Sequence, residues 1–206
     1  PAIEVLLQLA RSEGAVLSLD QADALFRGVR MADCARWVAA QRPDRPEGFE
    51  ADFIRRVRET SEARFRLGLQ ALPGAHDLLD LLAAPPFALP VCVATNGPRH
   101  KVELTLELTG LRTRFGPHVY CAYEVGSFKP EPGLFLHAAA AIGIAPAQCA
   151  VVEDSMPGIR AGLAAGMQVY ALLDAGELPG ELAGRVDCID NLAGFGAMLV
   201  QRAATD

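Results

Sequence analysis

From Leu72 onward the chain repeats one pattern: a helix-length segment, a turn marked by glycine or proline, then a short apolar run. Ala75–Ala84 leads through Pro85-Pro86 to Leu89–Ala94, and Arg99–Thr109 leads through Gly110 to His118–Ala122. Pro132–Ile142 precedes Cys149–Val152, and Met156–Ala165 precedes Gln168–Leu173. A weaker strand near Val186–Ile189 comes before a C-terminal helix. Apolar runs without polar alternation are strands covered on both faces, and strands separated by helices run parallel. The expectation is an α/β fold with a doubly wound parallel sheet, in which ligands sit at the carboxyl ends of the strands.

The preceding residues read as helices alone. Ile3, Leu6, Leu7 and Ala10 share one face, and Gly14 stops that helix. Asp20 is placed to cap a short helix through Phe26, broken by Gly28, and Met31–Gln41 is closed by the Pro43–Pro46 loop. Phe49, Phe53, Val57 and Phe65 follow helical spacing on a long segment carrying Arg55, Arg56, Arg58, Arg64 and Arg66. A chain of 206 residues buries about 70% of its surface, enough for one core and a small second lobe. With 51% hydrophobic residues and a net charge of −6, disorder and a broad nucleic-acid surface are excluded. No apolar run approaches a membrane span, and no basic-then-apolar leader opens the chain. Five cysteines at irregular spacing (Cys34, Cys92, Cys121, Cys149, Cys188) read as small core residues of a reducing, cytoplasmic compartment, with no zinc site.

Three strand ends carry the chemistry. Thr95-Asn96-Gly97-Pro98 puts a hydroxyl and backbone N–H groups at the start of a helix, a small oxyanion cradle, though the same string also begins ordinary helices. Only two of the 19 basic residues are lysines, and one of them, Lys129, stands before Pro130 at the start of the next helix. An ammonium there faces the wrong end of the helix dipole, so an anion should offset it unless it is simply solvated. Glu153-Asp154 then places two adjacent carboxylates at the mouth of an apolar strand, where a hard cation would relieve their repulsion. Asp154 alone also reads as a helix N-cap. Taken together, cradle, lysine and acidic pair have the charge pattern of a metal-assisted phosphoryl site.

Val91–Pro98, Gly126–Pro132 and Cys149–Gly166, the last reading Val-Val-Glu-Asp-Ser-x-x-Gly-Ile, resemble the haloacid dehalogenase (HAD) superfamily. The branch is that of small phosphatases and mutases with an early helical cap, and Leu72-Pro73-Gly74 resembles its return from cap to core. The resemblance implies a Rossmannoid core of residues 1–11 and 72–206, with an all-helical cap over 12–71. It implies that Thr95, with Asn96 and Gly97, binds phosphoryl oxygens and that Lys129 neutralises their charge. Asp154 would ligate Mg²⁺, with Glu153 ligating it or acting from behind. Arg27, Gly28 and Arg30 fall near a substrate-facing cap turn, as candidate contacts for a second anionic group or as part of a solvated arginine face.

The family's nucleophile, in an Asp-x-Asp loop after a central strand, has no counterpart in the 206 residues. Pro1 aligns just beyond where that motif would end. The strand would lie between those ending at Ala94 and Val152, and its absence leaves both neighbours with backbone groups to satisfy. The expectation is therefore an N-terminally shortened form of a longer protein. The intact protein is expected to be a Mg²⁺-dependent phosphatase acting through an aspartyl-phosphate on a sugar or sugar-acid phosphate, the present chain being inactive. A degenerate phospho-ligand-binding protein, a β-phosphoglucomutase-type mutase and a 2-haloacid dehalogenase are the alternatives. The expected partner is a small phosphorylated metabolite, neither nucleic acid nor membrane, bound by a monomer or homodimer. Lys129, at a solvent-reachable mouth, is expected to add little to the core.

Overall fold

The computed structural model describes residues 2–204, so Pro1, 205 and 206 lie outside the described residues. The chain divides into two compact units, the first ending at Leu69 and the second beginning at Gln70.

The first unit is helical. α1 (Ala2–Ser12), α2 (Leu19–Phe26), α3 (Met31–Ala40) and α4 (Phe49–Arg66) make up its regular structure. Leu6, Leu7 and Ala10 of α1 share a core with Phe26, Val38, Phe49, Phe53 and Val57. The sequence reading groups residues 1–11 with the Rossmannoid core. In the structure α1 packs on α2 and α4, because its apolar face has partners there. α2 begins earlier than an Asp20 cap would allow. Ser18 is the N-cap: its Oγ accepts from the Gln21 N–H at 3.1 Å, and its own N–H donates to Gln21 Oε1 at 2.8 Å. That reciprocal pair satisfies two helix-end donors, which Asp20 inside the first turn cannot do.

A buried ion cluster ties the end of α1 to α3 and α4. The Glu13 carboxylate is only 8% exposed and accepts from Arg42 and, at 2.6 Å, from Arg56. Arg56 also lies over the Phe53 ring, 5.7 Å from its centroid.

The second unit is α/β. α5 (Ala75–Ala83), β1 (Val93–Thr95), α6 (Arg99–Leu108), α7 (Arg112–Phe115), β2 (Val119–Cys121) and α8 (Ala122–Val125) come first. α9 (Gly133–Ile142), β3 (Ala150–Glu153), α10 (Met156–Ala164), β4 (Gln168–Ala171), β5 (Asp187–Cys188) and α11 (Leu192–Ala203) follow. All strand pairs are parallel, and helices cover both faces. On β4, Val169 and Ala171 join the core with Ile159 and Ala161 of α10, while Tyr170 points the other way onto Phe195 of α11 and Leu78 of α5. That alternation follows from the two-residue period of a strand. Gly162 lets α10 approach β4, since a Cβ there would come within 2.8 Å of Val169 Cγ2.

The strands form two sheets, β1-β2 and β3-β4-β5. Among the described residues no ladder joins β1 or β2 to β3, β4 or β5. β1 is short: Val93 starts its ladder by donating to the His118 carbonyl at 2.9 Å, while Val91 and Cys92 stay outside it. Val152 of β3 is 41% exposed, although it belongs to an apolar run.

Candidate functional site

Parallel registry brings the predicted residues to the same end of their strands. Thr95 is the last ladder residue of β1, opposite Cys121, and Glu153 the last of β3, opposite Ala171. The loops that follow carry Asn96 and Gly97, Lys129, and Asp154.

Lys129 is the centre of this constellation. Its ammonium pairs with Glu153 Oε1, with both side chains under a tenth exposed, and stands 4.7 Å from the centroid of the Phe135 ring. Its peptide is held separately. Asn96 Oδ1 accepts from the Lys129 N–H at 2.9 Å, and Asn96 Nδ2 donates to the Lys129 carbonyl at 3.1 Å. The sequence reading places Lys129 at a solvent-reachable mouth contributing little to the core. The structure corrects this, because the side chain lies among Phe135, Glu153 and the loop that Asn96 holds.

Glu153 is equally committed. Oε1 meets Lys129, and Oε2 accepts from Ser155 Oγ at 3.0 Å. Ser155 is the N-cap of α10, its Oγ also accepting from the Gly158 N–H at 3.2 Å. The carboxylate lies against Gly158, where a Cβ would overlap it. Ser155 and Gly158 thus explain the Glu-Asp-Ser-x-x-Gly string physically: serine joins the carboxylate to the helix end, and glycine makes room for it. Both stand in the string that carries the family resemblance, but neither is among the sequence-predicted site residues.

Thr95 Oγ1 accepts from the Gly97 N–H at 3.0 Å, which commits that N–H within the loop and leaves the threonine its own O–H to donate. Asp154 is exposed at the start of α10. Among the described residues no group of three or more His, Cys, Asp or Glu side chains stands ready to hold a metal ion. Asp154 still fits Mg²⁺, which takes one or two carboxylates and completes its shell with water and phosphate oxygens. Glu153 fits less well, since both of its oxygens already serve Lys129 and Ser155.

Arg27, Gly28 and Arg30 belong to the first unit, in the turn between α2 and α3. Arg27 pairs with Asp23 at 2.5 Å, and Arg30 pairs with Asp33 through two hydrogen bonds of 2.7 and 3.1 Å. The Arg30 hydrogen bond, reinforced by Arg36, holds the Asp33 carboxyl below the usual carboxylate range. Gly28 adopts a φ of 74°, which glycine takes at no steric cost. Beside the site, Arg99 grips Glu124 with bonds of 2.9 and 2.5 Å and reaches the Val119 carbonyl at 2.8 Å, fixing α8 against β2.

The 6-phosphogluconate phosphatase of Escherichia coli K12 is 29% identical over 157 residues, covering 76% of this chain and 68% of that protein. Hexitol phosphatase A of the same organism is 36% identical over 130 residues, covering 63% of this chain and 57% of its own. The matched stretch thus spans about two thirds of one relative and little more than half of the other. A crystal structure of a HAD-family hydrolase from Deinococcus radiodurans R1, with bound phosphate and sodium, superposes at a TM-score of 0.71 and 28% identity. It covers 97% of this chain and 88% of its own. A family profile matches residues 3–166, and the chain belongs to the haloacid dehalogenase-like hydrolases.

Proposed function

We propose that this chain carries the phosphate- and metal-binding half of a Mg²⁺-dependent phosphatase acting on a small monoester, a sugar or sugar-acid phosphate. The observation that carries the reading is the chain of contacts from Asn96, next to Thr95, through Lys129 to Glu153, next to Asp154. It gathers one hydroxyl donor, one buried ammonium and one exposed carboxylate at the carboxyl ends of β1 and β3, where open α/β sheets bind their ligands. The phosphatases among the relatives, and the phosphate in the Deinococcus structure, support the same substrate class.

In this reading the Thr95 hydroxyl donates to a phosphoryl oxygen and orients it. Lys129 donates its remaining N–H bonds to the oxygens on which charge is concentrated, at a place where burial strengthens each such bond. Glu153, held in turn by Ser155, keeps the ammonium aimed. Asp154 would hold Mg²⁺, which neutralises the phosphoryl group when bound. The attacking carboxylate that an aspartyl-phosphate route needs is not among these residues, so binding and turnover are tested side by side.

Phosphate release is measured on 6-phosphogluconate, hexitol phosphates, phosphoglycolate and β-glucose 1-phosphate, with Mg²⁺ and with EDTA, alongside calorimetry with orthophosphate. Mg²⁺-dependent orthophosphate binding by this chain, or chelator-sensitive release from a sugar or sugar-acid phosphate, bears the proposal out. Silence across the panel together with no orthophosphate binding overturns it.

A further inference from the structure

We infer that the side-chain amide of Asn96 positions Lys129 and is not itself a phosphate ligand; the inference rests on the reading of Lys129 as the ammonium that meets phosphate. The side-chain amide of Asn96 spans 33 positions of sequence to take both the N–H and the carbonyl of Lys129, at 2.9 and 3.1 Å. That is the pattern by which a neighbouring strand would grip a residue, supplied here by a side chain. It fixes the orientation of the Lys129 peptide and so the direction of its Cα–Cβ bond. At the far end of the side chain Glu153 fixes the ammonium.

A lysine has four rotatable side-chain bonds and about 2 kcal/mol of rotamer entropy to lose on ordering. Pinning only the ammonium would still let the backbone swing and carry the stem with it. Pinning both ends leaves one position for Nζ, and positional errors of about 1 Å at a reacting group cost on the order of 100-fold. The geometry also accounts for the residue type. Aspartate would accept from the N–H but repel the carbonyl, and serine lacks the reach to make both bonds. Only a primary amide offers a donor and an acceptor side by side at this length.

The test is a double-mutant cycle read in the dissociation constant for orthophosphate with Mg²⁺, using Asn96→Ala, Lys129→Gln and the pair. Asn96→Ala should weaken phosphate at least tenfold in the wild-type background and have no further effect in the Lys129→Gln background. A penalty of equal size in both backgrounds makes Asn96 a direct ligand and overturns the inference. Loss in Lys129→Gln with none in Asn96→Ala also overturns it, alone. Full phosphate binding by Lys129→Gln removes the reading of Lys129 and the inference with it. Acylation of the Lys129 amine by acetic anhydride gives a readout that needs no Lys129 variant. Asn96→Ala should speed labelling at least fivefold, and an unchanged rate with only a lowered Tm would reduce Asn96 to a structural residue.

Discussion

The Lys129 ammonium and the Glu153 carboxylate face each other in a pair with both side chains at least nine-tenths buried, bridging the loop before α9 to the end of β3. A pair so placed is costly to break from one side, because the survivor stays buried and uncompensated. Lys129→Met is therefore expected to cost about 3–5 kcal/mol, read as a fall in the urea midpoint. Adding Glu153→Gln should recover much of it, since the amide keeps the Ser155 bond without a charge. A Lys129→Met midpoint within error of wild type would return the residue to the solvated role that its sequence suggests.

Gly158 makes room for the Glu153 carboxylate, and any side chain there must displace it. Gly158→Ala should destabilise by about 1–3 kcal/mol as an overpacking substitution, despite alanine's better helix propensity. In a Glu153→Ala background the same substitution should turn neutral or stabilising. Chemical denaturation of the four proteins decides it, and equal penalties in both backgrounds would refute the steric account.

In the first unit, Glu13 is compensated by Arg42 and Arg56, which are themselves partly exposed. Glu13→Gln should cost about 1–3 kcal/mol, less than a fully buried pair because solvent screens both guanidinium groups. Asp44→Asn, whose carboxylate is 83% exposed, should change nothing measurable. Trp37, the single tryptophan, packs edge-on against Phe26 in this unit, with ring centroids 5.5 Å apart, and its fluorescence reports the local transition.

Burial pushes the thiols of Cys92, Cys121 and Cys149 above their ordinary range. Their folded values lie above an unfolded thiol value of about 8.5, so as pH rises past that point the unfolded chain loses its protons first. The native state then binds more protons than the unfolded one, and stability falls with increasing pH. Urea midpoints measured under reducing conditions should be level near neutrality and decline above about pH 8.5. Replacing Cys92 by serine should flatten part of that decline, whereas a level profile to pH 10 would contradict the assignment.

Much of the fold is legible in one dimension because it depends on local periodicity. The face formed by Leu6, Leu7 and Ala10, the run ending at Val93 and Ala94, and the glycines closing the helices all leave marks at fixed spacing. Helix starts are less legible, since a cap depends on which polar side chain reaches back. Ser18 and Gln21 do so, and the neighbouring Asp20 does not. Strand lengths are less legible still: the apolar run at Leu89–Ala94 yields only Val93–Thr95 as strand, because extended backbone becomes a ladder only where a partner lies alongside.

The sequence by itself determined the residue types of the site and their order along the strand ends: a hydroxyl, then a lysine, then an acidic pair. Tertiary structure alone decided what each one touches. Lys129 is buried, Asn96 is spent on its peptide, and Glu153 is turned to Lys129 and Ser155 while Asp154 faces solvent. The reason is that a motif specifies chemistry one residue at a time. Burial and pairing depend on segments tens of residues apart, joined here by the contacts of Asn96 with the Lys129 backbone and of Lys129 with Glu153.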